Sequence, residues 1–176
     1  MFKLIESRLE MSTENKSDTP IAIRDLWQTP LSLFHSLDLE FDFECDVASS
    51  NDNKLCLIHY TEKDNALNQE WLDSNWCNPP YSDISPWVEK AIEQHRLGKT
   101  TVMLVPSDTS VKWFKRAFES CNEVRFISGR LSFVNAATQK PVNGNNKGSV
   151  LFIWKAYAPT SSHSVSLINR DDLITK

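Results

Sequence analysis

A chain of 176 residues with 40% hydrophobic side chains, six Trp and nine Phe among them, can fill one sizeable core and is not disordered wholesale. Its longest apolar runs are strand-sized, such as Val102–Val105, so no membrane span is expected, and Met1 to Glu10 carries Lys3, Glu6, Arg8 and Glu10 instead of the apolar stretch of a secretion signal. The net charge of −4 hides an asymmetry: residues 1–80 hold 6 Lys/Arg against 15 Asp/Glu, whereas residues 81–155 hold 11 against 6, a split that suits a cationic small molecule on one half and a polyanion such as DNA on the other.

Residues 1–20 read as a flexible leader, because Met11 to Asp18 has few apolar residues and many turn formers. Thr29-Pro30 predicts a helix start, with Thr as the cap and Pro in the first turn, running to about Ser36. Apolar and acidic residues alternate over Phe41–Val47, which predicts a strand; Leu55–Tyr60 and Asn75–Asn78 read as two more. Ser85-Pro86 opens a helix that Gly98 closes, with Trp87, Val88, Ala91 and Ile92 inward. Thr101–Pro106 is a buried strand. Ser110 is expected to cap a helix whose inner face is Trp113, Phe114, Ala117 and Phe118. Strands over Val124–Ile127, Leu131–Val134 and Ser149–Trp154 follow, the closing ones antiparallel, and from Pro159 the chain reads as a weakly ordered tail (158–176). Strands alternating with helices predict one α/β domain over about 21–157. The widely spaced Cys45, Cys56, Cys77 and Cys121 read as reduced, mostly buried thiols of a cytoplasmic protein, and the four scattered His give no metal site.

The chemistry concentrates in Asn78-Pro79-Pro80-Tyr81. The tetrapeptide follows a short strand, and in an open α/β sheet ligands sit beyond the carboxyl ends of strands. A conjugated exocyclic amine is a poor nucleophile, because its lone pair is shared with the ring. Two acceptors aimed at its two N–H bonds, the Asn78 side-chain oxygen and the Pro79 carbonyl, draw the nitrogen toward tetrahedral geometry. Pro79 and Pro80 hold those acceptors rigidly. Tyr81 offers a ring on which an extruded base can stack. In-line positioning then suffices, with no nucleophilic side chain and no metal. The competing structural role is a rigid turn with Tyr81 plugging the core.

Several blocks in order, Asp25-Leu-Trp-Gln-Thr-Pro30, Cys45-Asp-Val-Ala48, Asp64-Asn-Ala-Leu67 with Trp71, Trp76-Cys-Asn-Pro-Pro-Tyr-Ser82, Val105 to Phe114, and Gly129-Arg-Leu-Ser-Phe133, resemble the phage-type, Dam-like DNA N6-adenine methyltransferases over residues 24–155. The resemblance implies a Rossmann-like fold with a doubly wound mixed sheet, S-adenosylmethionine as methyl donor, N6 of adenine in DNA as acceptor, and a phage or prophage origin with DNA protection from host restriction as its purpose. It further implies a cofactor site at Trp27, Thr29, Pro30, Asp46, Asp64 and Asn78. The Thr29 hydroxyl at a helix N-terminus suits a carboxylate, the Trp27 face suits a sulfonium, Asp46 stands in the place of an acid near the cofactor's amine or sulfonium, and Asp64 suits the cofactor's adenine amine. The ribose ligand is open, with Glu62 a candidate. Ser49-Ser50-Asn51 replaces the glycines that many methyltransferases carry after the strand ending at Asp46.

On the nucleic-acid side, Lys112, Lys115 and Arg116 share one helical face, and they, Arg130 and Lys147 are candidate DNA contacts. The polar loop 135–148, with Asn135, Gln139, Asn143, Asn145 and Asn146, is a candidate lid or target-recognition element. The tetrapeptide by itself leaves N4 of cytosine and the amide nitrogen of protein glutamine open as acceptors, and a non-catalytic DNA-binding decoy as another class. Target sequence and oligomeric state are not legible.

Overall fold

The computed structural model describes residues 27–135, 140, 147–159 and 163–174. Residues 1–20, read above as a leader, and most of the loop 135–148 lie outside the described residues. The elements are β1 (Trp27–Gln28), α1 (Leu31–Phe41), β2 (Cys45–Asp46), β3 (Ile58–His59), a 3₁₀ turn (Ala66–Asn68), β4 (Ser74–Cys77), α2 (Ser85–Arg96), β5 (Thr100–Pro106), α3 (Lys112–Ser120), β6 (Glu123–Ser128), β7 (Val134–Asn135), β8 (Ser149–Trp154), β9 (Ser164–Asn169) and α4 (Arg170–Ile174).

Seven strands form one sheet in the order β3-β2-β4-β5-β8-β6-β9. Neighbours pair in parallel except at β8, which runs antiparallel to both β5 and β6. β1 and β7 make a separate two-stranded antiparallel ladder, Trp27 opposite Asn135 and Gln28 opposite Val134. The central strands are buried on both faces, and their side chains alternate between two cores, as the strand period of two requires. Met103 and Val105 of β5 and Val150, Phe152 and Trp154 of β8 join Val88, Ala91 and Ile92 of α2 and Phe114 and Ala117 of α3. Val102 and Leu104, with Leu151 and Ile153, join Leu33, Phe34 and Leu37 of α1 on the other face. Helices therefore cover both sides of the sheet, the doubly wound arrangement expected. Among the described residues no helix is long and apolar enough to cross a membrane.

Four local expectations need correction. α1 runs five residues beyond Ser36, to Phe41, and consumes the start of the alternating Phe41–Val47 segment; Asp42, in the left-handed conformation at φ 49°, stops it, and only Cys45–Asp46 is strand. Pro30, not Thr29, occupies the cap position of α1, and no side chain caps the helix. Ser110 likewise does not cap α3, since Val111 holds that position and the Ser110 hydroxyl donates to Asp108 Oδ1. The chain past Pro159 is not a loose tail throughout: β9 pairs with β6 from Glu123↔Ser164 to Ser128↔Asn169, and α4 follows it directly. Backbone hydrogen bonds, rather than apolar burial, hold this polar strand at the sheet edge.

At the far end of α2 the glycine expectation stands. Gly98 has φ +79° and its N–H donates to the His95 carbonyl at 2.9 Å, a left-handed closure that a side chain would strain.

Candidate active site

The order of the parallel strands reverses between β2 and β4: the chain steps outward from β2 to β3, then returns to the other side of β2 to lay down β4. Loops diverge at such a point and leave a crevice at the carboxyl ends of the strands. Asp46 is the last residue of β2, paired with Trp76 of β4, and Asn78 is the first residue beyond β4. The sequence therefore delivers both side chains to the crevice from adjacent strands. Thr29 arrives from the third side, between β1 and α1. Gln28, Thr29, Asp46, Ala48, Asn53, Leu55, Trp76 and Asn78 enclose one cavity of about 30 Å³.

Asp46 is only 2% exposed. Its Oδ1 accepts from the Ala48 N–H at 3.3 Å and its Oδ2 from the Leu55 N–H at 3.1 Å. Burial raises its pKa to about 6, opposed by those two amides. A carboxylate has about four acceptor positions, so this one shapes its own loop and still has lone pairs for a cationic donor. The Thr29 hydroxyl oxygen is buried with no hydrogen-bond partner among the described residues. A buried hydroxyl without a partner costs about 1–3 kcal/mol, which a ligand atom at this place would offset. Buried acid, unsatisfied hydroxyl and helix N-terminus form a donor and acceptor set that fits the amino-acid end of S-adenosylmethionine, which carries an ammonium and a carboxylate together. At about 30 Å³ the half-open cavity holds a water-sized group, far below the several hundred Å³ of a cofactor pocket, so it is one corner of a cofactor site and most of a cofactor would lie outside it.

The tetrapeptide is held as its prolines demand. Pro79 is buried, Pro80 half-buried, and the Asn78 side-chain oxygen is buried at the cavity wall. Tyr81 does not line the cavity. Its ring is half-buried against both cores and its hydroxyl is buried without a hydrogen-bond partner among the described residues. Burial pushes that phenol well above its ordinary range, so it is neutral and cannot act as an anion near neutral pH.

Other expected site residues lie elsewhere. Asp64 is exposed in the turn after β3, where its Oδ2 accepts from the Thr61 N–H at 2.8 Å and the Thr61 hydroxyl at 2.6 Å; those bonds lower its pKa, and it does not reach this cavity. Glu62 is exposed in the same turn. Pro30 is half-buried at the head of α1, and Trp27 contributes its backbone to the ladder with β7. On α3, Arg116 makes a two-pronged pair with Glu89 at 2.7 and 3.0 Å, and Lys115 meets Glu119 at 3.6 Å, so two of the three cations are matched by carboxylates, while Lys112 is exposed. Lys147 pairs with Asp108, whose pKa it and Ser110 lower to about 2. Arg130 is exposed, its carbonyl accepting from Arg170 Nη1 at 3.1 Å.

Gln28 and Asn53 also line the cavity, and the sequence did not single them out. Gln28 sits inside the block around Trp27 and Thr29, which was the available signal; Asn53 lies in a polar turn with no pattern to distinguish it from its neighbours.

The cleft lies at the switch point of the sheet, and comparison with known proteins shows the family. Residues 16–176 match the family described as DNA N-6-adenine-methyltransferase (Dam). The chain is 38% identical over 157 residues to a DNA N-6-adenine-methyltransferase of Escherichia phage T1, an alignment covering 79% of this chain and 66% of that protein. It is 33% identical over 166 residues to a DNA N-6-adenine-methyltransferase of Haemophilus phage HP1 (strain HP1c1), covering 92% of this chain and 96% of that one. A putative methyltransferase, YfdM, of Escherichia coli (strain K12) is 32% identical over 92 residues, 48% of this chain and 91% of its own length. With the family match spanning the Asn-Pro-Pro-Tyr loop, the switch-point crevice and the polar edge strand alike, this chain belongs to the DNA N-6-adenine-methyltransferases, the Dam enzymes that methylate N6 of adenine in DNA.

Proposed function

We propose that this chain carries out its family's reaction with S-adenosylmethionine as donor, that the amino-acid end of the donor is held between Asp46 and Thr29, and that Asn78 and Pro79 hold the adenine amine. The observation that carries the reading is the meeting of Asp46, Thr29 and Asn78 around one cavity at the switch point of the sheet. The donor supplies a methyl group on a sulfonium, activated for in-line displacement. The protein's part is positional and electrostatic. Asp46, ionised near neutral pH, offers its remaining lone pairs to an ammonium. Thr29 and the N-terminal amides of α1 offer donors to a carboxylate. The Asn78 side-chain oxygen and the Pro79 carbonyl accept the two N–H bonds of adenine N6. Their interaction strengthens as positive charge develops on nitrogen, so it lowers the barrier more than it favours the ground state. One amine proton leaves to solvent after transfer. Tyr81 offers the ring on which the extruded base stacks.

The measurement is tritiated methyl transfer to DNA, followed by a nucleoside digest. Label in N6-methyladenosine that vanishes with Asn78→Ala while cofactor binding persists is the expected result. Label in N4-methylcytosine, or undiminished transfer by the variant, sinks the assignment of the loop.

A further inference from the structure

The loop that follows β2 carries Ser49-Ser50-Asn51, without the glycines that let a backbone approach a ligand closely, yet it is held at both ends. The Ser50 N–H donates to the Asn53 side-chain oxygen at 2.6 Å, and the Leu55 N–H donates to Asp46 Oδ2 at 3.1 Å. Residues 50–55 are thereby a fixed turn, and Asn53 is half-buried at the wall of the cavity that Thr29, Asp46 and Asn78 share. The bond from Ser50 settles which way the Asn53 amide is turned: its oxygen is committed to a backbone N–H, so what remains is the NH₂ group, a donor only. Asp46 across the cavity is an acceptor, and Thr29 beside it is buried with a hydroxyl that has no hydrogen-bond partner among the described residues. Asp46 on one side, with Thr29 and Asn53 also on the wall of this small half-open space, suits the two charges of a zwitterion lying at its mouth: ammonium toward Asp46, carboxylate toward Thr29 and the amide.

We propose that Asn53 is a further specificity-determining residue, whose side-chain amide recognises the carboxylate of the methyl donor and so does the work that backbone amides do where the turn is glycine-rich. The inference rests on the cofactor reading above. It concerns a contact that the neutral, donor-only face of one side chain can make, and it predicts discrimination between two donors that differ only in that carboxylate.

Asn53→Asp is the informative variant. It keeps an acceptor for the Ser50 N–H, and so keeps the turn, but replaces the NH₂ donor with negative charge. Calorimetric titration of the full chain with S-adenosylmethionine and with its decarboxylated analogue separates the outcomes, with Asn53→Ala and Asp46→Asn alongside. The expected result is a loss of tenfold or more in affinity of Asn53→Asp for S-adenosylmethionine, with affinity for the analogue unchanged or increased because the ammonium remains. Asp46→Asn weakens both compounds. Equal weakening of both by Asn53→Asp would mean a merely structural turn and would overturn the proposal, as would unchanged affinity for S-adenosylmethionine. Wild-type protein that binds neither compound removes the cofactor reading itself, a failure distinct from either of these.

Discussion

The ring of Phe133 meets the ring of Tyr81 edge-on, centroids 6.2 Å apart and planes at 90°. Phe133 is 1% exposed and lies directly before β7, so it packs on the tyrosine of the Asn-Pro-Pro-Tyr loop next to the strand that pairs with the Trp27–Gln28 segment. The Tyr81 hydroxyl finds no hydrogen-bond partner among the described residues. Tyr81→Phe therefore keeps the aromatic face and removes an unsatisfied polar group. Its melting temperature should equal or exceed that of wild type, by up to about 1 kcal/mol in stability, with turnover within a few-fold. Tyr81→Ala should lose most turnover at sub-saturating DNA. A large loss of turnover in Tyr81→Phe would assign the hydroxyl a role that the stacking account lacks.

Asn78→Ala should reduce methyl transfer by about a hundredfold or more, the usual contribution of an electrostatic acceptor at a reacting centre. Single-turnover rates on saturating DNA, with thermal melting of the same samples, separate this from misfolding. A folded variant with the wild-type rate would remove Asn78 from the chemistry.

Donor binding should depend on pH through Asp46. Burial raises this carboxyl to about 6, so the folded protein prefers it protonated. Its contribution to stability is accordingly greatest below the ordinary carboxylate value and is lost as pH rises toward 6. Affinity for a cationic donor moves the other way. It should be flat above pH 6 and fall about tenfold per unit below it, since one proton must leave before the ammonium can bind. Titrations from pH 5 to 8 test this, and Asp46→Asn should flatten the profile. An unchanged slope in that variant assigns the titration to another group.

Arg125 ties the α1 face to the sheet through two carboxylates. Its guanidinium meets Glu40 at 2.5 and 2.7 Å and Glu123 at 2.6 Å, and lies 5.4 Å from the centre of the Phe41 ring. Arg125→Ala leaves Glu123 with one fewer partner in a largely buried setting. It should cost about 3 kcal/mol, roughly 6–12 °C in melting temperature for a domain of this size. Glu40 lies in the last turn of α1, at the opposite end from Thr29, so turnover per folded molecule should be preserved. Chemical denaturation measures the first and active-site-normalised assays the second.

Arg116 is matched by Glu89, whereas Arg130 is exposed beside the β6–β7 connection. Arg130→Ala should weaken DNA binding and lower the slope of log affinity against log salt by about one, the signature of one lost phosphate contact. Arg116→Ala should change that slope little. Equal slopes for the two variants would mean that the pair with Glu89 opens on DNA.

Much of this was legible in the chain, for physical reasons that differ by element. The Val102–Val105 run announces a strand buried on both faces, and the central sheet and its two cores follow from it. The positions of Asp46 and Asn78 at the ends of neighbouring strands were legible from the short runs that precede them. The end of α1 was not: a left-handed Asp42 stops the helix where a glycine would have marked it, and the alternation beyond it mimics a longer strand. β9 was missed because an edge strand needs hydrogen bonds more than apolar residues; Val165 and Leu167 stand exposed on it. The resemblance reads Asp64 as a ligand; in the fold its carboxylate accepts from Thr61 in an exposed turn. Asn53 becomes visible only when the fold brings a polar turn against Asp46 and Thr29.

The antiparallel strand within the seven-stranded sheet also dictates the order in which this protein can come into being. β8 lies between β5 and β6 but is made after both, with six register positions on β5 and five on β6 waiting for it. While the chain is being synthesised, those two edges face each other across an empty slot and have no lasting partner. Nascent chains that end between about residues 128 and 149 therefore expose two strand edges rich in apolar residues, the condition under which sheets pair with the wrong molecule. Closing the slot demands contacts distant in sequence on both sides at once, so the final step should be slow and all-or-none. In a rapidly expressed protein that interval, before the slot fills, is when aggregation competes with folding.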